Sequence, residues 1–596
     1  MLLRNTLNNL LCWIGIVILI VESCYSDHNP EVTLKHGVLS GKLEKTLLKK
    51  RDYHAFRGVP YAEPPIGTLR FLPPKPHQGW KGTYESHTIK PTCMQFNSRS
   101  RNGEPMGLSG SEDCLYLSVF TPSLQGQKPI VVFDYNDNFR TGFNSTDTYS
   151  PDFFLEEDVI VVTINHRLDL FGYLTTSDEV IPPNAGLKDF ILALQWIREN
   201  IEQFGGDPNR VTLMGSRGGA ALIHILLFSE KAKGLFSSVI MQSGTALEPI
   251  YFPSNSRHKA FMLGEQIDVS TEDSQTLLEE LQKADAEKLF YKIVDLLDDK
   301  DINELQMSIF PFTPVVENDN SDAVLTSLPD NSNIINDVPI LIGFNSREGL
   351  DLAFHYISSP RLVELTHEFF IHFPIRSGFR FDRNSTVFKE MEQEIKEFYF
   401  RDGYFHVGNI LEYAVYVGDV LHNYALDYTV GKLANQLSSP LFYYMFDFKG
   451  ALSENSLYIS RAALNSVKNW GATVGDELCY LHVCTRIRKN YESLTKLVSE
   501  QAEIKLLRRM VRMWTNFIKT GNPTPDEKDD TLKKITWTPV NMDSKEKQYL
   551  HITKAPRMKA GPLSERAAFW ENLLKKYSAM VVDGVVKDPE PSREEL

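Results

Sequence analysis

The stretch Val211–Ala220 (VTLMGSRGGA) constrains this chain more than any other. An apolar strand enters, Gly215-x-Arg217-x-Gly219 turns sharply, and an apolar helix leaves. This is the layout of a nucleophile elbow, which presents one side chain at the tip of a strand-to-helix turn. Glycine flanks the tip because a Cβ there would clash. Arg217 occupies the tip. A guanidinium stays protonated and has no lone pair with which to attack a carbonyl. The scaffold therefore reads as that of a hydrolase whose tip cannot serve as nucleophile.

Around the elbow, short β-branched runs alternate with longer helical patterns. Pro129–Phe133, Val159–Thr163 and Val211–Met214 read as buried strands. Leu187–Phe204 has Ile191, Leu194, Ile197 and Ile201 on one face, the spacing of a helix. This order predicts an α/β fold with a mostly parallel sheet and helices on both faces. Helix-rich stretches at 270–310 and 355–435 are expected to cap one end of the sheet. No Pro/Gly/Ser-rich break divides the chain, so 27–580 reads as one large domain and 581–596 as a polar tail.

Residues 1–26 read as a signal peptide, with Arg4 ahead of the apolar run Leu10–Val21. No other stretch approaches the roughly 20 apolar residues of a spanning helix. Cys93 and Cys114 flank a polar loop and suit a disulfide, while pairing of Cys479 with Cys484 stays open. No zinc spacing is present, and neither a metal nor a cofactor is expected. Sequons at Asn144 and Asn384 are candidate glycosylation sites. The terminal Arg593-Glu594-Glu595-Leu596 is similar to an endoplasmic reticulum retention signal. A net charge of −14 over 596 residues disfavours nucleic-acid partners.

Several blocks carry a family resemblance. They are Phe56–Phe71 (FRGVPYAEPPIGTLRF), Ser111–Leu117 (SEDCLYL), Asn165–Arg167 (NHR), Asn184–Asp189 (NAGLKD), Ala193–Pro208 (ALQWIRENIEQFGGDP), Met513–Phe517, Thr520–Pro525 and Ala568–Trp570. With these the chain resembles the type-B carboxylesterase and cholinesterase family of α/β-hydrolases over nearly its full mature length. The resemblance implies the α/β-hydrolase fold and a first disulfide between Cys93 and Cys114. It also implies ion pairs Arg70–Glu112 and Arg167–Asp189. A second family disulfide, expected after Gln242–Gly244, has no cysteines here.

The family's acyl-transfer chemistry needs a serine, a histidine base, an orienting acid and oxyanion donors. By resemblance the serine position is Arg217. The histidine position, in Gly471–Leu478 (GATVGDEL), is Val474, which accepts no proton. The glycine-rich oxyanion segment is replaced by Asn136, Asp137 and Asn138, and Asp137 would place negative charge near a developing oxyanion. Glu348 alone keeps its place as the acid. Ser216 should point into the flank of the turn, and His224 and His166 read as structural. Arg217 is expected to pair with Glu348, with Asp137 as second candidate and a ligand carboxylate or phosphate as another use. The stretch Ser98–Ser109 holds no aromatic residue, so a choline-type site is not expected.

The implied function is a non-catalytic protein of the secretory pathway, in the endoplasmic reticulum lumen or secreted. It would bind a protein partner or an apolar ligand, as members of the family without the triad do in adhesion and recognition. The alternative is a carboxylic ester hydrolase with a rearranged site. Homodimerisation through Leu563–Met580 is a further expectation, against which Phe569, Trp570, Leu573 and Leu574 facing their own core is the plainer reading.

Overall fold

Residues 29–588 are described by a computed structural model, apart from 98–106, 143–147, 254, 297–309, 352, 354–377, 463–469, 497–501, 526–527 and 534. The runs read as strands build a central sheet. Its members are β1 (Lys42–Lys45), β2 (Asp52–Pro60), β3 (Tyr116–Thr121), β4 (Lys128–Asp137), β5 (Ile160–Ile164), β6 (Gly206–Arg217), β7 (Ser238–Gln242), β8 (Ile340–Asn345), β9 (Leu441–Phe446), β10 (Gln548–Ile552) and β11 (Arg557–Ala560). The order across the sheet is β11-β10-β9-β8-β7-β6-β4-β5-β3-β2-β1, with Thr141–Gly142 added beside β4. Pairs from β10 through to β5 are parallel, and the edges are antiparallel. Every residue of β5, β7 and β8 is buried. Such uniformly apolar strands are stable only with helices on both faces.

Helix α1 (Ala185–Asn200) buries Leu187, Ile191, Leu194 and Ile197, and continues into a 3₁₀ turn at Ile201–Phe204. Helix α2 (Gly218–Leu226) follows the elbow and is buried along its whole length, as an all-apolar helix must be. On the other side, α3 (Ala502–Thr520) packs Met510, Met513, Trp514 and Phe517 against the sheet. The elbow sits at the carboxyl ends of the central strands, where open α/β sheets place their ligand sites.

Among the described residues of the two cap stretches, helices run Ser274–Lys283, Ala286–Lys292, Thr386–Tyr399, Ile410–Gly418 and Tyr424–Gln436. The C-terminal helix Glu565–Ser578 turns Trp570, Leu573 and Tyr577 inward, and stacks Phe569 on Phe398 at 3.9 Å. Part of the expected polar tail is ordered structure. Val581–Val582 and Val585–Val586 form a hairpin beside Arg380–Phe381, with Val586 buried and Asp583-Gly584 supplying the turn at positive φ. No helix among the described residues is long and apolar enough to cross a membrane.

Candidate functional site

Strand β6 ends at Arg217, and α2 begins at the next residue. Arg217 has φ 54° and ψ −118°, a strained conformation for a side-chain-bearing residue. The tightness explains the flanking glycines. A Cβ on Gly215 would lie 2.4 Å from the Gly219 backbone, and one on Gly219 would lie 2.5 Å from the Asp134 carbonyl oxygen. Ser216 is fully buried and in register with Gln242 and Tyr135, so its hydroxyl is enclosed within the sheet.

Arg217 is 6% exposed. Its Nη1 donates to Asp137 Oδ1 at 2.7 Å and lies 3.8 Å from Asp351 Oδ2. Burial works against its charge, but Asp137 and then Asp351 outweigh burial and hold the guanidinium firmly protonated. The expected ion pair with Glu348 is not formed. The reason is sheet order: Arg217 is in register with Asn136 on the adjacent β4, so Asp137 is one residue away, whereas Glu348 follows β8, two strands over. Glu348 instead accepts from the Asn345 N–H at 2.6 Å and Asn345 Nδ2 at 3.1 Å. Burial raises the Glu348 carboxyl above its ordinary range, opposed by Ser243, the Asn345 N–H, His422 and Arg217.

The turn at the end of β4 is closed by its own side chains and braced from outside. Asn136 Nδ2 donates to Asp134 Oδ2 at 2.8 Å, and Asn136 Oδ1 accepts from the Phe139 N–H at 2.9 Å. Asn138 Oδ1 accepts from the Tyr251 hydroxyl at 3.0 Å. Phe139 stacks edge-on against Tyr173 and Tyr251. The Phe139 N–H is thus engaged within the turn.

Val474 is buried, and its carbonyl accepts from Asn455 Nδ2 at 2.5 Å. Two carboxyls follow it that sequence reasoning did not single out, although both lie in the Gly471–Leu478 block. Asn345 Nδ2 donates to Glu477 Oε2 at 2.6 Å, so one amide bridges Glu477 and Glu348. Burial, then repulsion by Glu348, pushes Glu477 up to about 8 against the Asn345 hydrogen bond. Burial likewise pushes Asp476 up to about 7. His482 was also missed. It lies 4.4 Å from the Phe133 ring centre and 5.1 Å from that of Phe154, and burial pushes it down to about 3. A neutral imidazole in so apolar an enclosure had no distinguishing sequence signal.

The remaining candidates lie outside this cluster. Arg70 donates from Nε and Nη2 to Glu112, and from Nη1 to the Leu281 and Ala284 carbonyls. Arg167 donates to both Asp189 oxygens at 2.8 and 2.6 Å, and to the Leu72 carbonyl. Cys93 is bonded to Cys114, and Cys479 to Cys484. His224 Nδ1 meets the Thr245 hydroxyl and the Ala246 N–H. Asn384 is exposed on a turn, whereas Asn144 and Arg593–Leu596 lie outside the described residues. Glu454, Cys479 and Cys484 come together in a metal-like group, but the two sulfurs are joined to each other. A cavity of about 940 Å³ is lined by Phe252, Phe261, Val316, Arg257 and Glu265 among others, and not by Arg217, Glu348 or Val474.

Comparison with known proteins places this geometry. The family model described as "Carboxylesterase family" matches residues 28–570. Juvenile hormone esterase of Tribolium castaneum is 30% identical, with 93% of this chain and 95% of the relative covered. Neuroligin-2 of Mus musculus is 27% identical, with 87% of this chain and 64% of the relative covered. The crystal structure of juvenile hormone esterase from Manduca sexta, with OTFP covalently attached, superposes with a TM-score of 0.73 at 25% identity, covering 92% of this chain and all of that one. The strand-elbow-helix core, the sheet order and the extent of these matches show that this chain belongs to the carboxylesterase family, on the α/β-hydrolase fold.

Proposed function

We propose that this chain is a non-hydrolysing member of the family that acts in the secretory pathway by binding a protein partner or an apolar ligand. One observation carries the reading: the elbow tip is a buried cation, tied to Asp137 by a 2.7 Å contact. A tip in that state offers no lone pair. Val474 offers no base, and Asn136, Asp137 and Asn138 stand where the family carries its glycine-rich oxyanion segment. Loss of one oxyanion donor lowers turnover by about 10²–10³, and loss of the serine or histidine by about 10⁶. Similarity to neuroligin-2 supports binding as the activity. Two disulfides and a sequon on an exposed turn at Asn384 support an oxidising compartment.

A second reading, a carboxylic ester hydrolase with a rearranged site, is favoured by the similarity to juvenile hormone esterase. Reaction with a fluorophosphonate probe, together with hydrolysis of 4-nitrophenyl and 1-naphthyl acetate beside an active family member, separates the two. No labelling and no turnover is the expected result. Stoichiometric labelling would overturn the proposal, and the labelled residue would identify the nucleophile.

A further inference from the structure

Beneath the turn that carries Asp137, a buried histidine meets a buried carboxylate. His166 Nε2 lies 3.4 Å from Asp134 Oδ1, and His166 Nδ1 lies 3.2 Å from the Arg167 carbonyl oxygen. Both ring nitrogens therefore face acceptors. A neutral imidazole has one N–H and satisfies one of them; only the imidazolium donates to both. Asp134, in turn, accepts from Asn136 Nδ2 at 2.8 Å, and Asn136 Oδ1 accepts from the Phe139 N–H. Asp134 also packs under the elbow, where a Cβ on Gly219 would lie 2.7 Å from its Oδ2. A connected path thus runs from His166 through Asp134 and Asn136 to the turn whose Asp137 holds Arg217.

We propose that His166 and Asp134 form a pH-sensitive latch that fixes residues 136–139 against the elbow. With His166 protonated, Asp134 has a cation beside it, and Asn136 is held in the orientation that closes the turn. When His166 loses its proton, one of its two acceptors loses its donor and the Asp134 carboxylate, 4% exposed, is left without a paired cation among the described residues. The turn then loosens, and the Arg217–Asp137 contact with it.

The charged surroundings favour this behaviour. Asp189, on α1, faces the imidazole but is neutralised by its two-pronged pairing with Arg167, beside His166 in sequence. Phe190 presents a ring edge-on at 5.8 Å, and the buried Tyr173 hydroxyl stays un-ionised. Burial disfavours the imidazolium, but Asp134 more than offsets it, so His166 titrates above its ordinary range. A cavity of about 20 Å³ is lined by Asp134, Asn136 and His166 with Gln95 and Thr92. It has room for about one water, which supplies a route for proton exchange.

Hydrogen exchange on the full chain tests the latch. Amides in 134–142 and 211–220 are followed from about pH 5.5 to about pH 8.5 and corrected for intrinsic rates, a range that brackets histidine titration. Protection in the wild type should fall by about tenfold or more as pH rises, and His166→Gln should remove that dependence. Nitrogen NMR of histidine-labelled wild type is the second measurement, independent of whether the variant folds. It should show His166 still protonated on both ring nitrogens at about pH 6.5, where an exposed histidine is half neutral. Wild-type protection that does not change with pH, equal dependence in His166→Gln, or a neutral His166 at pH 6 (near the reference value of about 6.5) would each overturn the proposal.

Discussion

Arg217 Nη1 and Asp137 Oδ1 lie 2.7 Å apart, and this contact joins the tip of the elbow to the turn that follows β4. The two residues are brought together by adjacent parallel strands, so the pair staples a strained backbone position to its neighbour in the sheet. Asp137→Ala leaves a buried guanidinium with Asp351 at 3.8 Å as its remaining ion-pair partner among the described residues. Breaking a fully buried pair costs about 3–5 kcal/mol. The Asp137 side chain is 40% exposed, so solvent screening reduces the expected loss to about 1–2 kcal/mol. Urea unfolding should show that loss for Asp137→Ala and none for Asp319→Ala on the exposed surface.

On the proposed non-hydrolysing reading, a serine placed at the tip should not by itself confer hydrolysis. Arg217→Ser leaves Val474, which accepts no proton, at the family's histidine position, and leaves Asn136, Asp137 and Asn138 in place of its glycine-rich oxyanion segment. The expected result is no fluorophosphonate labelling and no turnover of 4-nitrophenyl acetate above buffer. Because Arg217→Ser also removes the partner of Asp137, the exposure of the Asp137 carboxylate should rise, which carbodiimide labelling reads directly.

Glu477 makes stability depend on pH. Its carboxyl stands at about 8 in the folded chain, against about 4.3 when exposed. A group raised on folding contributes stability that is complete below its unfolded value and is lost as pH rises through the folded one. Between about pH 4.5 and about pH 8 the unfolded chain has released this proton and the folded chain has not. Unfolding free energy should therefore fall across that window by up to about 1.4 kcal/mol per pH unit from this group. Glu477→Gln keeps the contact with Asn345 and should flatten that part of the profile in pH-resolved denaturation.

The two disulfides should contribute unequally. Cys93–Cys114 closes a loop with a separation of 21 residues and Cys479–Cys484 one of 5. Loop-closure entropy gives about 3 kcal/mol for the first and about 2 kcal/mol for the second. Paired Cys→Ser variants compared by thermal unfolding should show the larger drop for Cys93/Cys114. Equal drops would mean that packing around the half-cystines outweighs loop length.

Much of this protein is legible in the order of its residues. The elbow follows from an apolar strand, spaced glycines and an apolar helix, because local sterics permit only a sharp turn there. The buried strands follow from β-branched runs, and a cation at residue 217 is a cation whatever surrounds it. The tertiary structure decided the partners. Arg217 pairs with Asp137 and not Glu348 because β4 lies beside β6, while β8 is two strands away. His166, read only as structural, follows β5 and meets Asp134 of β4 at 3.4 Å, and Asn345 draws Glu477 and Glu348 to one amide. Secondary structure and composition depend on neighbours in the chain. Hydrogen bonds, burial and proton affinity depend on neighbours in space, and those are set only when strands separated by tens of residues come into register.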